Sequence, residues 1–191
     1  MKYIDIKNNA LRLMGITPET ETGEINDEIY SDYVVGMDMS ILRAIDRMKS
    51  LGSIPTKTVK LPVVQKSDYY NFGLSELKVN GELKSIKTIQ ENVCLESPFV
   101  MFDNRIFAYL EKGITYFAEY VPANFQVIDD KEIELPDELA RIIPYYIKAD
   151  LYEEEEPSLA SLSRNLFESY LEEYRQGNDT TTRKIKKVYS I

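Results

Sequence analysis

Apolar residues along this chain follow a helical spacing at both ends and an alternating one between. Ile4, Leu11 and Met14, flanked by Ile6 and Ala10, predict a short first helix, with Gly15 placed to stop it in a left-handed cap. After a polar stretch, Asn26 or Asp27 can cap a long second helix whose Ile29, Tyr33, Met37, Ile41, Ile45 and Met48 keep the 3.6 period to Leu51, before Gly52 and Pro55 end it. Gly36 inside that helix costs about 1 kcal/mol relative to alanine. It marks close packing, a bend or a tolerated defect.

From Thr56 to Ile128 the period is two. Strands are predicted at Thr58–Val64, Leu77–Val79, Leu83–Ile89, Val93–Leu95, Phe99–Phe102, Ile106–Leu110 and Ile114–Val121, separated by Asn80-Gly81, Glu91-Asn92, Asp103-Asn104 and Lys112-Gly113. Asn-Gly and Lys-Gly supply the positive φ that tight hairpins need, so antiparallel strands joined by short loops are expected, as a small sandwich or barrel. Its many aromatics, among them Tyr69, Tyr70, Phe72, Phe102, Phe107 and Tyr109, are expected as core and cross-strand pairs; a sugar-binding platform is the other use they allow.

The helical period returns at Leu135-Pro136-Asp137-Glu138, with Asp137 as the cap, and Leu139, Ile143, Tyr146, Ile147 and Leu151 on one stripe kinked by Pro144. Glu153 to Glu156 ends this helix, and Pro157 starts another that runs through Leu159, Leu162, Leu166, Phe167, Tyr170, Leu171 and Tyr174 to Gly177. The fold class read from these patterns is α+β. N- and C-terminal helix pairs (1–55 and 129–175) form one discontinuous bundle, an antiparallel β module (56–128) is inserted in it, and 176–191 is a flexible arm.

Composition narrows the chemistry. With 191 residues, 43% of them hydrophobic, one core and a smaller satellite can be built. Histidine and tryptophan are absent and Cys94 is the single cysteine, which rules out an intrachain disulfide and a Cys/His zinc site and fits a reducing compartment. No leader or membrane span is read from the sequence, and no G-x-S-x-G, G-x-G-x-x-G or Walker-type loop occurs. Consecutive helical residues point about 100° apart, so Glu153–Glu156 form a solvated helix end instead of a metal cage. No cofactor or metal is expected.

Charge is unevenly placed within a net −9: from Arg175 onward there are five bases and one acid, against 18 bases and 31 acids before it. Such a body repels nucleic acid, whose affinity comes mainly from Lys and Arg on phosphates. The last segment combines Arg183, Lys184, Lys186 and Lys187 with Ile185, Val188, Tyr189 and Ile191, a pattern that fits either a frayed terminus or an arm docking on another chain as a strand or short helix.

The run ILRAIDRMKSLGSIPTKTVKL, the β-rich middle, Tyr120-Val121-Pro122 and IELPDELARIIPYYIKADLYEEEEPSLASLSRNLFESYLEEY resemble the head-tail adaptor (connector or neck) proteins of tailed bacteriophages over most of residues 26–174. The resemblance implies a non-enzymatic virion protein of the neck, assembled in the host cytoplasm. It would form a homo-oligomeric ring, a dodecamer, below the portal protein, and join it to the next neck or tail component around a channel through which DNA passes without specific binding. Under it, Arg183 to Val188, Tyr189 and Ile191 form the portal-binding arm, and Tyr145, Tyr152, Arg164 and Tyr170 are candidate inter-subunit contacts. No membrane is involved. The rival expectations are a carbohydrate- or ligand-binding β-sandwich with helical support, and a histidine-free hydrolase.

Overall fold

The computed structural model describes residues 1–16, 27–61, 69–73, 81–90, 93–103, 105–111, 113–123 and 125–188, with side chains except at 27–32, 69–73, 90, 93 and 178–188. The fold is mixed α+β. Elements run α1 (Tyr3–Leu13), α2 (Asp27–Ser50), β1 (Lys57–Lys60), β2 (Tyr69–Gly73), β3 (Gly81–Gln90), β4 (Val93–Ser97), β5 (Phe99–Phe102), β6 (Arg105–Tyr109), β7 (Tyr116–Pro122), α3 (Asp137–Ala140), α4 (Ile143–Leu151) and α5 (Pro157–Val188). Two compact units result, residues 1–53 with 125–191, and residues 54–124.

In the helical unit, α4 packs against α1, α2 and α5. Met37, Ile41, Ala44, Ile45 and Met48 of α2, Ile143 and Ile147 of α4, and Phe167 and Leu171 of α5 are buried, the spacing expected of one apolar face per helix. The buried face of α1 is Tyr3, Ile6, Lys7, Ala10 and Leu11; Ile6, Ala10 and Leu11 belong to the expected stripe, whereas Ile4 and Met14 are only half-buried and Tyr3 and Lys7 take their place. Its register is set by residues 129–133. Tyr3 and Ile4 N–H donate to the Lys131 and Asp129 carbonyls (3.1 Å each), and Lys2 N–H donates to Asp5 (2.9 Å), satisfying first-turn donors that the helix leaves free.

Gly15 (φ 78°) ends α1 as predicted, with Ile16 N–H donating to Leu11 O (2.9 Å) and Gly15 N–H to Arg12 O (3.0 Å). Gly36 marks close packing: a Cβ there would lie 2.8 Å from Leu151 Cδ2 of α4.

Three expectations for the second helical stretch are corrected. Pro144 breaks the helix instead of kinking it: α3 stops at Ala140, and α4 restarts with Pro144 in its first turn, where a missing N–H is harmless. Asp137 does not cap, because Pro136 holds that position and Asp137 Oδ1 instead faces the Met1 ammonium at 3.3 Å. Gly177 does not stop the last helix. It adopts helical backbone, and α5 continues to Val188, so residues 176–188 of the expected arm are helical. Arg175 and Gln176 donate to Glu172 (2.9 and 3.2 Å), tying this turn to the one before, and the bases beyond suit a helix C-terminus.

In the second unit all strand pairs are antiparallel, in a four-stranded sheet ordered β1-β7-β3-β4 and a three-stranded sheet ordered β2-β6-β5. Leu61, Leu83, Ile86, Ile106, Ala108, Leu110, Tyr116 and Ala118 form one buried cluster, to which strands of both sheets contribute. A bulge between Leu83 and Ser85 shifts the inward positions of β3 by one, which lets Leu83, Ile86 and Thr88 all face inward.

The strand at Tyr69–Gly73 was not expected from the pattern, and the expected Leu77–Val79 strand lies outside the described residues. The first predicted strand ends at Lys60, and its remainder beyond Leu61 also lies outside them. Of the two glycine dipeptides, Asn80 and Lys112 lie outside the described residues. Gly81 is needed because β7 crowds it, a Cβ meeting Val121 O at 2.1 Å, and Gly113 (φ 82°) lies between β6 and β7, which belong to different sheets. Asp103 (φ 48°) does supply a left-handed turn residue, in the β5–β6 hairpin. The aromatic expectation is met in part: Tyr116 is buried in the core, Phe99 and Tyr120 pack against it and Tyr69 stands opposite Tyr109 across β2 and β6, whereas Phe102 and Tyr109 are 74% and 57% exposed. Aliphatic side chains make up the rest of the buried cluster, and the side chains of Tyr69, Tyr70 and Phe72 lie outside the described set.

Candidate functional site

Two charged knots hold the helical unit. The Lys7 ammonium is buried, 2.6 Å from Asp129 Oδ1 and 2.7 Å from Asp38 Oδ1, so one cation on α1 joins α2 and the segment before α3. Burial pulls its pKa down, but the two carboxylates outweigh that and leave it above the ordinary lysine value. Asp150 on α4, 10% exposed, accepts from Ser40 Oγ (2.7 Å) and Arg43 (2.9 Å) on α2 and lies 3.6 Å from Arg164 on α5. Sequence reasoning passed over both. The available signal was a lysine or an aspartate on the same helical face as apolar neighbours, Lys7 four residues after Tyr3 and three before Ala10, and Asp150 three residues after Ile147.

The four candidate contact residues come together around α4 and α5, each with a partner in its own chain. The Tyr145 and Tyr170 rings meet at 5.3 Å, and burial, then Tyr170, raises the Tyr145 phenol above its ordinary value. Arg164 lies over the Tyr146 ring at 4.8 Å besides facing Asp150, and Tyr146 meets the Phe167 edge at 5.0 Å. Tyr152 Oη donates to Met14 O (3.3 Å) with the Lys148 ammonium 5.7 Å from its ring centroid, while Lys148 donates to Leu13 O at 2.6 Å. Tyr152, Tyr145 and Arg164 are therefore anchored within the fold, whereas Tyr170 is partly open to solvent.

Beside Tyr170, α5 leaves Leu159 and Leu162 exposed, and α2 leaves Val35 and Met39 exposed opposite its buried stripe. These are two unlike apolar strips on one unit. In the arm, Arg183 to Val188 continue α5, with side chains outside the described set; Tyr189 and Ile191 lie beyond the described residues. Glu153 to Glu156 are exposed in the turn between α4 and α5.

Charge follows the division into units. Residues 54–124 carry eight bases and eight acids, whereas residues 1–53 and 125–174 carry 10 bases and 23 acids. The helical unit holds the whole negative excess. On the β module, Glu119 Oε2 accepts from Lys87 (2.6 Å) and Ser85 (2.9 Å), and the lysine, then opposing burial, then the serine account for a carboxyl below its ordinary value. Among the described residues no group of three or more His, Cys, Asp or Glu is placed to hold a metal ion, and no helix is long and apolar enough to cross a membrane.

These surfaces suit contacts between macromolecules: apolar strips on α2 and α5, a basic helical end and an acidic body. Neither a scan against protein-family models nor a search of curated proteins finds a match to this chain.

Proposed function

We propose that this chain is a non-enzymatic structural protein of the phage virion neck, a head-tail adaptor. In this reading the helices form a bundle, copies assemble into a ring below the portal and around the DNA channel, and the β module is a small sandwich displayed from the bundle. One observation carries it, the segregation of charge: residues 1–53 with 125–174 of net −13, a neutral β module and a basic segment at the end of α5. An acidic wall lets a polyanion pass without adhering. A basic segment on an acidic body serves another protein better than it serves its own fold. The absence of histidine favours a structural role over acid-base catalysis.

The arm is tested by ending the chain after Tyr174, which keeps the buried Phe167 and Leu171. The shortened protein should remain folded and lose capture by purified portal rings in a pull-down. Undiminished capture sinks the docking role.

A second reading is favoured by the exposed Phe102 and Tyr109 on the outer side of the three-stranded sheet: a platform on which a sugar ring stacks. Glycan-array binding abolished by Tyr109→Ala would support it. An array without binding removes it.

A further inference from the structure

Helix α5 carries two apolar stripes. Ala160, Ser163, Phe167 and Leu171 form its buried face, which packs on α4. Leu159, Leu162, Leu166 and Tyr170 recur at helical spacing along the neighbouring face, as a second seam. Leu159, Leu162 and Tyr170 are 37%, 56% and 37% exposed, and Leu166 is half-buried. On the solvent side this seam is bordered by Ser158, Asn165 and Ser169, none of them charged. The two charges of the span from Pro157 to Leu171 are matched inside the unit: Arg164 faces Asp150 of α4, and Glu168 accepts from Arg47 of α2 at 2.8 Å.

We infer that this seam docks a second copy of this chain, whose own α5 lies antiparallel across it. Residues 1–53 with 125–174 carry net −13, so two such bodies repel, and they can approach where both faces are apolar and their charges are already matched. A basic partner would be drawn to exposed acids elsewhere on the unit. Charge also sets the direction. In a parallel pair, Glu153 to Glu156 and Glu173 would each meet the same acids of the other copy. In an antiparallel pair centred on Leu166, Leu162 meets Tyr170 of the second copy, and Leu159 lies level with the stem of Glu173. Glu153 to Glu156 then lie level with Gln176, Gly177, Asn178 and Asp179 of the second copy. Its Arg183 follows four residues further on, about 6 Å along the helix and inside the Debye length at physiological salt. Such a twofold contact stops at two. It does not rest on the adaptor reading, whose ring would use other surfaces.

The test uses the full-length protein with Cys94, its only cysteine, replaced by serine. Asn165 and Ser158 are both exposed. Asn165→Cys places the two thiols beside the twofold axis, whereas Ser158→Cys separates them by roughly 24 Å along the helices. A short bis-maleimide should link the Asn165→Cys chain into dimers and leave the Ser158→Cys chain monomeric. Monomers from both overturn the docking, and dimers from Ser158→Cys overturn the antiparallel register. Adding Leu162→Lys should reduce the Asn165→Cys dimers about tenfold with an unchanged circular dichroism spectrum, and undiminished dimers overturn the proposal. Sedimentation equilibrium checks the seam without any cysteine variant: the unaltered chain should self-associate more strongly than Leu162→Lys. An unaltered chain that is monomeric at every concentration also overturns the proposal.

Discussion

Lys7 shows how a single buried charge sets local stability. Its ammonium is compensated by two carboxylates that are each about half exposed, so removal leaves Asp38 and Asp129 facing each other without a cation. Lys7→Met should destabilise the protein by about 2 kcal/mol, less than the roughly 3–5 kcal/mol of a fully buried pair because the acids can rehydrate. Chemical denaturation of the variant measures it, and adding Asp129→Asn should recover part of the loss. The raised lysine pKa means that this contribution is complete below the ordinary lysine value and disappears as pH rises through the folded one. Glu119 behaves oppositely. Its carboxyl is lowered, so its stabilisation is present above the ordinary glutamate range and is lost as pH falls through the folded value. Glu119→Gln should therefore flatten the acid limb of the stability profile, followed by circular dichroism; an unaltered acid limb would count against the Lys87 pair.

At the level of elements, contacts with α4 decide the behaviour of α2 and α5. Gly36 allows α2 to approach Leu151, but the obstructed atom is the tip of a flexible side chain. Gly36→Ala should stay within about 1 kcal/mol of the parent, because better helix propensity offsets the shift of Leu151. Gly36→Leu should cost about 2 kcal/mol through overpacking, read from urea midpoints. Asp150 is the corresponding polar clamp. Asp150→Ala leaves Ser40, Arg43 and Arg164 without their acceptor and should cost about 2–3 kcal/mol, with Asp150→Asn retaining part of the interaction. Helix limits were partly legible: Gly15 and Gly52 carry the positive φ their positions suggested. Gly177 has the same residue type without the same conformation, because the polar sequence after it can continue the helix.

For the whole molecule, the β module begins and ends on paired strands, Lys57 opposite Tyr120, so its two ends leave side by side. Replacing residues 54–124 with a Gly/Ser linker of about six residues, which spans roughly 13 Å, should leave the helical unit folded. Helical circular dichroism with a cooperative melt checks it, and loss of cooperativity would show that the helices need the module. The apolar strips on α2 and α5 lie outside the buried core of the helical unit, where residues can vary without disturbing packing.

The sequence by itself determined the helical and strand-forming stretches, the segregation of charge and the absence of imidazole chemistry, because periodicity, residue counts and missing residue types are local properties. Only the tertiary structure decided that Tyr3 and Lys7 join the buried face of α1, where Pro144 divides the chain, that the β core is mostly aliphatic, and how Lys7 and Asp150 are compensated. Partners distant in sequence settle them: residues 129–133 for α1, Asp38 and Asp129 for Lys7, and α2 for Asp150. Burial and charge pairing are settled by what a side chain meets in space, and spacing along the chain does not record it.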